Sequence, residues 1–363
     1  MKTAKSKKIV FLAALSLLAA GALSAQTATP PPQTFSTTIY FDYLFNLSND
    51  GYLTGTDAAK ALNNKFQFRR AYFTYENKIS DSLKFRFRTD ADNTANITSV
   101  DFAKSAAKKD DKLRPFIKHL YLEYAADWLQ SKLNVGMIET LSFKLAEDRW
   151  GLRSVAKTLL DGYKDVTGVE IDQTSADLGA TWKASLSKYA RFAVGVHNGA
   201  HYSHAETDKF KRFSGNLQII PAAGLNIIGY IDYEKQTDSA EARTHKLEAF
   251  FEMVRGLTLA GEWFIYDNET YKTAAGARFK VGGWSVFGVY KIKPDKLSLF
   301  ARYDSYEPNT EVSNDKRGLI ILGADWTPYH ATWKVQPNIW ITAYEDSTRK
   351  TDIVGVITFF LSF

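Results

Sequence analysis

Along most of this 363-residue chain one kind of stretch recurs: about ten residues with apolar side chains at alternate positions, then a turn or a polar loop. Alternation of period two marks a strand whose faces differ. FSTTIYFDYLF (35–45) puts Phe35, Ile39, Phe41, Tyr43 and Phe45 on one face. AYFTYEN (71–77) follows, with a register shift at Arg69-Arg70, and then residues 82–92. KHLYLEYA (118–125), KLNVGMI (132–138), a stretch within 166–183 ending DLGATWK, and RFAVGVHN (191–198) come next. RFSGNLQII (212–220), LNIIGYIDY (225–233), KLEAFFEM (246–253), LTLAGEWFIY (257–266) and WSVFGVYKI (284–292) continue the series. LSLFARYDS (297–305), LIILGADW (319–326), KVQPNIWITAY (334–344) and IVGVITFFLSF (353–363) complete sixteen. Tight turns such as Pro221-Ala222-Ala223-Gly224 alternate with longer polar loops, as up-and-down antiparallel pairing requires. TYKTAAGARFKVGG (270–283) is read as a loop or strand extension. Counted as a strand, it would put EPNTEVSNDK (307–316) on the short-turn side.

The second face of these strands decides between a dry core and a wet one. KFRFRTD (84–90) sends Lys84, Arg86 and Arg88 to one side and Phe85 and Phe87, with Leu83, to the other. Ser214/Asn216/Gln218 and Lys334/Gln336/Asn338 repeat the polar row elsewhere. Sixteen strands around a dry core need inward positions that are mostly apolar, whereas here the continuous row is the apolar one. That row therefore faces lipid. A lipid-facing Arg or Lys at the bilayer midplane costs about 2–4 kcal/mol, so the reversed register of the third strand costs on the order of 6–12 kcal/mol. The reading is an all-β, 16-stranded antiparallel transmembrane β-barrel, residues 35–363, with short periplasmic turns and long external loops.

Lys2, Lys5, Lys7 and Lys8 precede an apolar run from Ile9 to about Leu23, and small residues end at Ala25. This order is that of a secretory signal peptide, residues 1–25, with Ala22 as the alternative cleavage site. QTATPPPQT (26–34) reads as a flexible or extended leader. Removing the four lysines takes the formal net charge from +6 to +2, so a strongly cationic nucleic-acid binder is not supported. The chain has no cysteine, so an exported protein of this size relies on hydrogen bonding or burial rather than disulfides. Aromatic residues at 14% with a mean hydropathy of −0.27 fit a membrane barrel, and also a secreted sandwich or propeller.

The last stretch carries Ile353, Ile357, Phe359, Leu361 and the terminal Phe363 on one face. It resembles the terminal signature of Gram-negative outer-membrane proteins, which implies recognition of Phe363 by the barrel-assembly machinery. The chain also resembles the phosphate-selective porin O/P family, diffusely over most of the length after the leader. The resemblance is carried by FQFRRAYFTYENKISDSLKFRFRTD (66–90), LNVGMIE (133–139), RS (153–154), TGVEI (167–171), VGVHNG (194–199) and ARYD (301–304). It implies a homotrimeric porin in the Gram-negative outer membrane, bounded by lipid and lipopolysaccharide, passing small hydrophilic solutes. These motifs mark strand and turn positions rather than a binding site. The family includes channels of other selectivity, so phosphate does not follow from the name. The family's lysine clusters and arginine ladder do not map onto this chain residue by residue.

Lys84, Arg86 and Arg88 are the first candidate functional residues. Cations in a narrow aqueous lumen with low-dielectric walls raise the local concentration of small anionic solutes. Asp90, Asp92, Glu123 and Glu262 are placed to counterbalance them. The longest loop, 139–165, is the candidate constriction. Within it EDRWGLRSVAKTLLDG reads as a short helix ending at Gly162, with Arg149, Arg153 and Lys157 on one face. Resemblance to porins implies that this third external loop folds inward; the alternative is a solvated helix at the outer surface. The loop also holds Glu139, Glu147, Asp148, Asp161 and Asp165. HNGAHYSH (197–204) supplies three of the six histidines, without a cysteine or close carboxylates to complete a metal site. His119 and His245 fall in wall strands with no nucleophile motif nearby, so no enzyme, cofactor or metal is expected. A non-conducting barrel acting as adhesin or structural protein is the alternative function.

Overall fold

The computed structural model describes residues 32–48, 65–92, 96–101, 106–110, 115–162, 174–202, 204–272, 278–330 and 332–363. The reading of residues 1–25 as a signal peptide lies outside them. The strands are β1 (Gln33–Ser48), β2 (Lys65–Lys78), β3 (Leu83–Asp92), β4 (Asn96–Asp101), β5 (Ala106–Asp110), β6 (Phe116–Ala126) and β7 (Ser131–Glu139). After the helices α1 (Lys144–Trp150) and α2 (Leu159–Gly162) come β8 (Ala176–Ser187), β9 (Ala190–His197), β10 (Arg212–Ala222) and β11 (Leu225–Lys235). The chain continues through β12 (Glu241–Phe251), β13 (Leu257–Lys272), β14 (Arg278–Lys293) and β15 (Leu297–Glu307). It ends with β16 (Arg317–Trp326), β17 (Trp333–Tyr344) and β18 (Asp352–Ser362). β4 and β5 pair only with each other, between β3 and β6; the remaining sixteen close an antiparallel barrel in chain order.

Each of the sixteen alternating stretches corresponds to one barrel strand. β1 begins at Gln33, so the last two residues assigned to the leader join the wall. Of the stretch 270–283, the described residues belong to the end of β13, up to Lys272, and the start of β14, from Arg278. The barrel closes where β1 pairs with β18, and Thr37 and Phe363 exchange two backbone hydrogen bonds of 3.0 Å at its rim. The shift at Arg69-Arg70 is a bulge: Tyr40 pairs with Arg70 and Phe41 with Phe68. Both arginines can then point inward, which strict alternation forbids.

The connections 79–82, 188–189, 223–224 and 252–256, of two to five residues, lie at one end. The long ones, including 140–175, lie at the other. The outward row is apolar and exposed, as at Ile227, Ile231, Leu247, Leu259, Trp263, Val286 and Leu299. Among the described residues no helix is long and apolar enough to cross a membrane. Crossing falls to the strands, most of which meet the length of about 9–11 residues a tilted transmembrane strand needs.

Candidate functional site

The connection after β7 does not stay at the rim. Arg149, near the end of α1, reaches Glu252 in the short connection between β12 and β13, with Nε to Oε2 at 3.2 Å. The segment therefore crosses the lumen to the short-turn end. Its apolar side chains Ala146, Trp150, Leu152, Val155 and Ala156 pack on Ile228, Phe250, Ala260, Phe287, Phe300, Leu319 and Ile321, which are inward residues of β11–β16. The Trp150 ring meets Phe287 and Phe300 edge-on, at 5.2 and 5.7 Å between centroids, and its Nε1 donates to Ala156 O at 2.9 Å. Farther along, Leu159 and Leu160 pack on Phe264, Tyr266, Val281 and Tyr306. This half of the lumen is a dry core.

Polar latches fix the segment at both ends of that core. Lys246 on β12, fully buried, ion-pairs with Glu248 at 2.5 Å and Glu262 at 2.9 Å and donates to Ser142 O at 3.1 Å. Glu262 also accepts from Leu159 N at 3.1 Å, so one charge cluster holds the segment on both sides of α1. Ser154 Oγ donates to Gln336 on β17 at 2.6 Å, and Arg302 Nη1 donates to Lys157 O at 2.5 Å.

The opposite wall, β1–β3 and β6, is polar. Asp42 pairs with Arg69 at 2.5 Å and accepts from Thr358 at 2.7 Å; Arg70 pairs with Asp90 at 3.2 Å. Lys118 donates to Ser175 and lies 3.6 Å from the centre of the Tyr202 ring. A small polar cavity of about 40 Å³ separates this wall from the segment. Tyr72, Arg88, Lys118, His119 and Glu139 line the strand side, and Lys144, Glu147 and Arg153 the segment side.

The candidate cations occupy different settings. Lys84 is exposed near the short-turn end, opposite Lys78 on β2 and Glu123 on β6. Arg86 approaches Glu76 at 3.4 Å. Arg88 donates from Nε to Thr74 Oγ1 at 2.8 Å and lies over the Tyr72 ring at 5.0 Å. Among the described residues neither Lys84 nor Arg88 has an ion-pair partner. Arg149, Arg153 and Lys157 do not share a helical face, contrary to the expectation from their spacing. α1 stops at Gly151, whose φ of 65° is the left-handed conformation that ends helices, and only Leu159–Gly162 resume helical form. Arg153 instead turns to Glu147 and to Asp161, the latter at 2.7 Å, and Lys157 reaches Asp161 at 3.5 Å. Burial drives the Asp161 carboxyl up, but Lys157 and Arg153 outweigh it and hold the group at about 2.

His119 is buried in the polar wall, and His245 faces outward between Ile231 and Ile265. His197 is buried, and the His201 and His204 rings stand 6.5 Å apart. Among the described residues no three His, Cys, Asp or Glu side chains gather as a metal site. Sequence reasoning missed Asp42, Arg69, Arg70 and Lys118 as lumen residues. The adjacent arginines inside an alternating strand were the available signal.

No protein-family model and no curated protein sequence matches the chain. Solved structures do match in fold. The trimer form of OmpT, an outer-membrane protein of Vibrio cholerae, superposes with a TM-score of 0.57 at 12% identity, covering 92% of this chain and 100% of that one. The outer-membrane channel DcaP of Acinetobacter baumannii gives 0.58 at 11%, with coverage of 93% and 99%. An anion-selective porin from Comamonas acidovorans gives 0.58 at 9%, with coverage of 92% and 99%. At such identities the likeness shows the sixteen-stranded barrel fold. None of these three is described as phosphate-selective.

Proposed function

We propose that this chain is an outer-membrane porin, a passive water-filled channel for small hydrophilic solutes with a preference for anions. The observation that carries this reading is the division of the lumen. The inserted segment packs dry against β11–β16 and leaves the polar, arginine-bearing inner face of β2, β3 and β6 beside the remaining space. A barrel of sixteen strands is wide enough for an aqueous passage beside one inserted segment. Of the candidate cations, Lys84 and Arg88 act on permeating anions most directly, because among the described residues neither is held in an ion pair. Arg86, Arg149, Arg153 and Lys157 contribute less, each being held by a carboxylate.

Several further features belong to the same reading. Export uses the signal peptide at residues 1–25. Assembly in the Gram-negative outer membrane uses Phe363, and the barrel sits among lipid and lipopolysaccharide as a homotrimer. The V. cholerae OmpT structure, described as a trimer form, supports the last of these. The protein is not an enzyme.

Purified protein in a planar bilayer is expected to give stepwise conductance, with a reversal potential under a salt gradient that marks anion preference. The preference weakens with salt, as the screening length falls from about 10 Å at 0.1 M to about 3 Å at 1 M. Lys84→Gln/Arg86→Gln/Arg88→Gln moves the reversal potential toward cations. Cation preference in the wild type, or no change in the triple variant, contradicts the selectivity assignment. A second reading, a non-conducting adhesin or structural barrel, is favoured by the small size of the cavity between Arg88 and Arg153, about 40 Å³. Folded protein that gives no steps at any voltage decides for it.

A further inference from the structure

A second cavity, of about 180 Å³, opens between the segment and the strands β7–β10 near the short-turn end. On its wall side stand Lys132, Lys183 and Arg191, with Gln218. Lys132 and Lys183 are direct cross-strand partners. Arg191 pairs with Ser185, two residues along from Lys183, and with Gln218 on its other side. Like charges directly opposite one another destabilise a sheet, so folding does not account for this grouping. Glu123 answers Lys132 at 3.0 Å, whereas among the described residues Lys183 and Arg191 have no ion-pair partner. On the segment side of the same cavity stand Leu141, packed with Ala193 and Tyr230, and Leu145, beside Lys144, whose ammonium is paired with Asp148.

We propose that this cup binds small organic monoanions, namely a carboxylate attached to a compact apolar body. Lys183 and Arg191 take the carboxylate, and Leu141 and Leu145 take the body. A phosphate, with three strong acceptor oxygens, gains nothing from the leucine side. The volume lies below the range of about 300–1,000 Å³ that holds drug-sized ligands, which limits the body to something near one small ring or a short branched chain. The proposal rests on the lumen being aqueous, since the ligand reaches the cup through it. It adds a substrate class and a site to the porin reading.

The test uses the full barrel in nonionic detergent, titrated calorimetrically with sodium benzoate, sodium phosphate and benzyl alcohol. Saturable benzoate binding is expected, weakened at least tenfold in Lys183→Gln/Arg191→Gln, with phosphate and benzyl alcohol each binding at least tenfold more weakly than benzoate. Arg191→Gln alone, at an exposed residue, is the fallback if the double variant does not fold, and it retains the loss in direction. Absence of benzoate binding, equal binding in a folded variant, or phosphate binding as tight as benzoate overturns the proposal. Bilayer conductance measured on the same protein separates the two readings. Conductance without benzoate binding removes the cup and leaves the channel, and benzoate binding without conductance upholds the cup and removes the channel.

Discussion

The inward residues of β12, β14 and β15 at the level of the inserted segment are Phe250, Phe287 and Phe300; those of β2, β3 and β6 include Tyr72, Arg88 and Lys118. Both sets belong to one closed sheet and to its inner face. The first set is sealed under Trp150, Leu152 and Val155 and behaves as the core of a soluble domain. The second is built from guanidinium, ammonium and hydroxyl groups that need water or a charged partner. The difference assigns separate tasks to the two arcs. One anchors the segment, and on the porin reading the other faces whatever passes it. Mutations in the first should therefore change stability, and mutations in the second should change permeation.

Lys246→Met carries the largest expected effect on the anchoring arc. It strands Glu248 and Glu262, both nearly fully buried, without their shared cation. Removing one partner of a buried ion pair costs about 3–5 kcal/mol. Urea unfolding in lipid vesicles, followed by tryptophan fluorescence, reads this loss. A change below about 1 kcal/mol would mean that the cluster does not hold the segment.

Ser154→Ala is expected to act on the same arc more weakly. It leaves the buried Gln336 Oε1 without its 2.6 Å donor, and an orphaned buried polar group costs about 1–3 kcal/mol. The same unfolding assay checks it, and no measurable loss would show that the segment is not docked on β17. Arg86→Gln on the polar arc is the counterpart. Its partner Glu76 is half exposed, and such pairs contribute roughly 0–1 kcal/mol. Its stability should match wild type while its reversal potential shifts; the opposite pattern would erase the distinction between the arcs.

The barrel itself was readable from the sequence because lipid imposes one requirement on every strand, a continuous apolar outer row. Alternation in FSTTIYFDYLF or LNIIGYIDY records that requirement directly, and parity resolved the uncertain stretch 270–283. The dry half of the lumen was not read, although KLEAFFEM, LTLAGEWFIY and WSVFGVYKI carry its signal. In these strands apolar residues occupy both faces, which is the pattern of burial on both sides. Treating the apolar row only as the lipid face hid Phe250, Phe264 and Phe287. The helix reading of 147–162 failed at Trp150-Gly151. A glycine inside a helical pattern is a preferred end point for the helix, and past it the four-residue spacing of Arg149, Arg153 and Lys157 carries no geometry. The pairing of Arg153 with Asp161 depends on how the chain returns after Gly151, which no local period encodes.

The absence of cysteine from the chain gives the most direct test of the divided lumen. Arg88→Cys places one thiol on the polar arc and Phe287→Cys places one under Trp150, each in an otherwise thiol-free barrel. A charged, membrane-impermeant methanethiosulfonate reagent is added during single-channel recording. The account predicts that Arg88→Cys is modified rapidly with a stepwise drop in current, and that Phe287→Cys stays unmodified with its current unchanged. Rapid modification of Phe287→Cys with loss of current, and protection of Arg88→Cys, would contradict it.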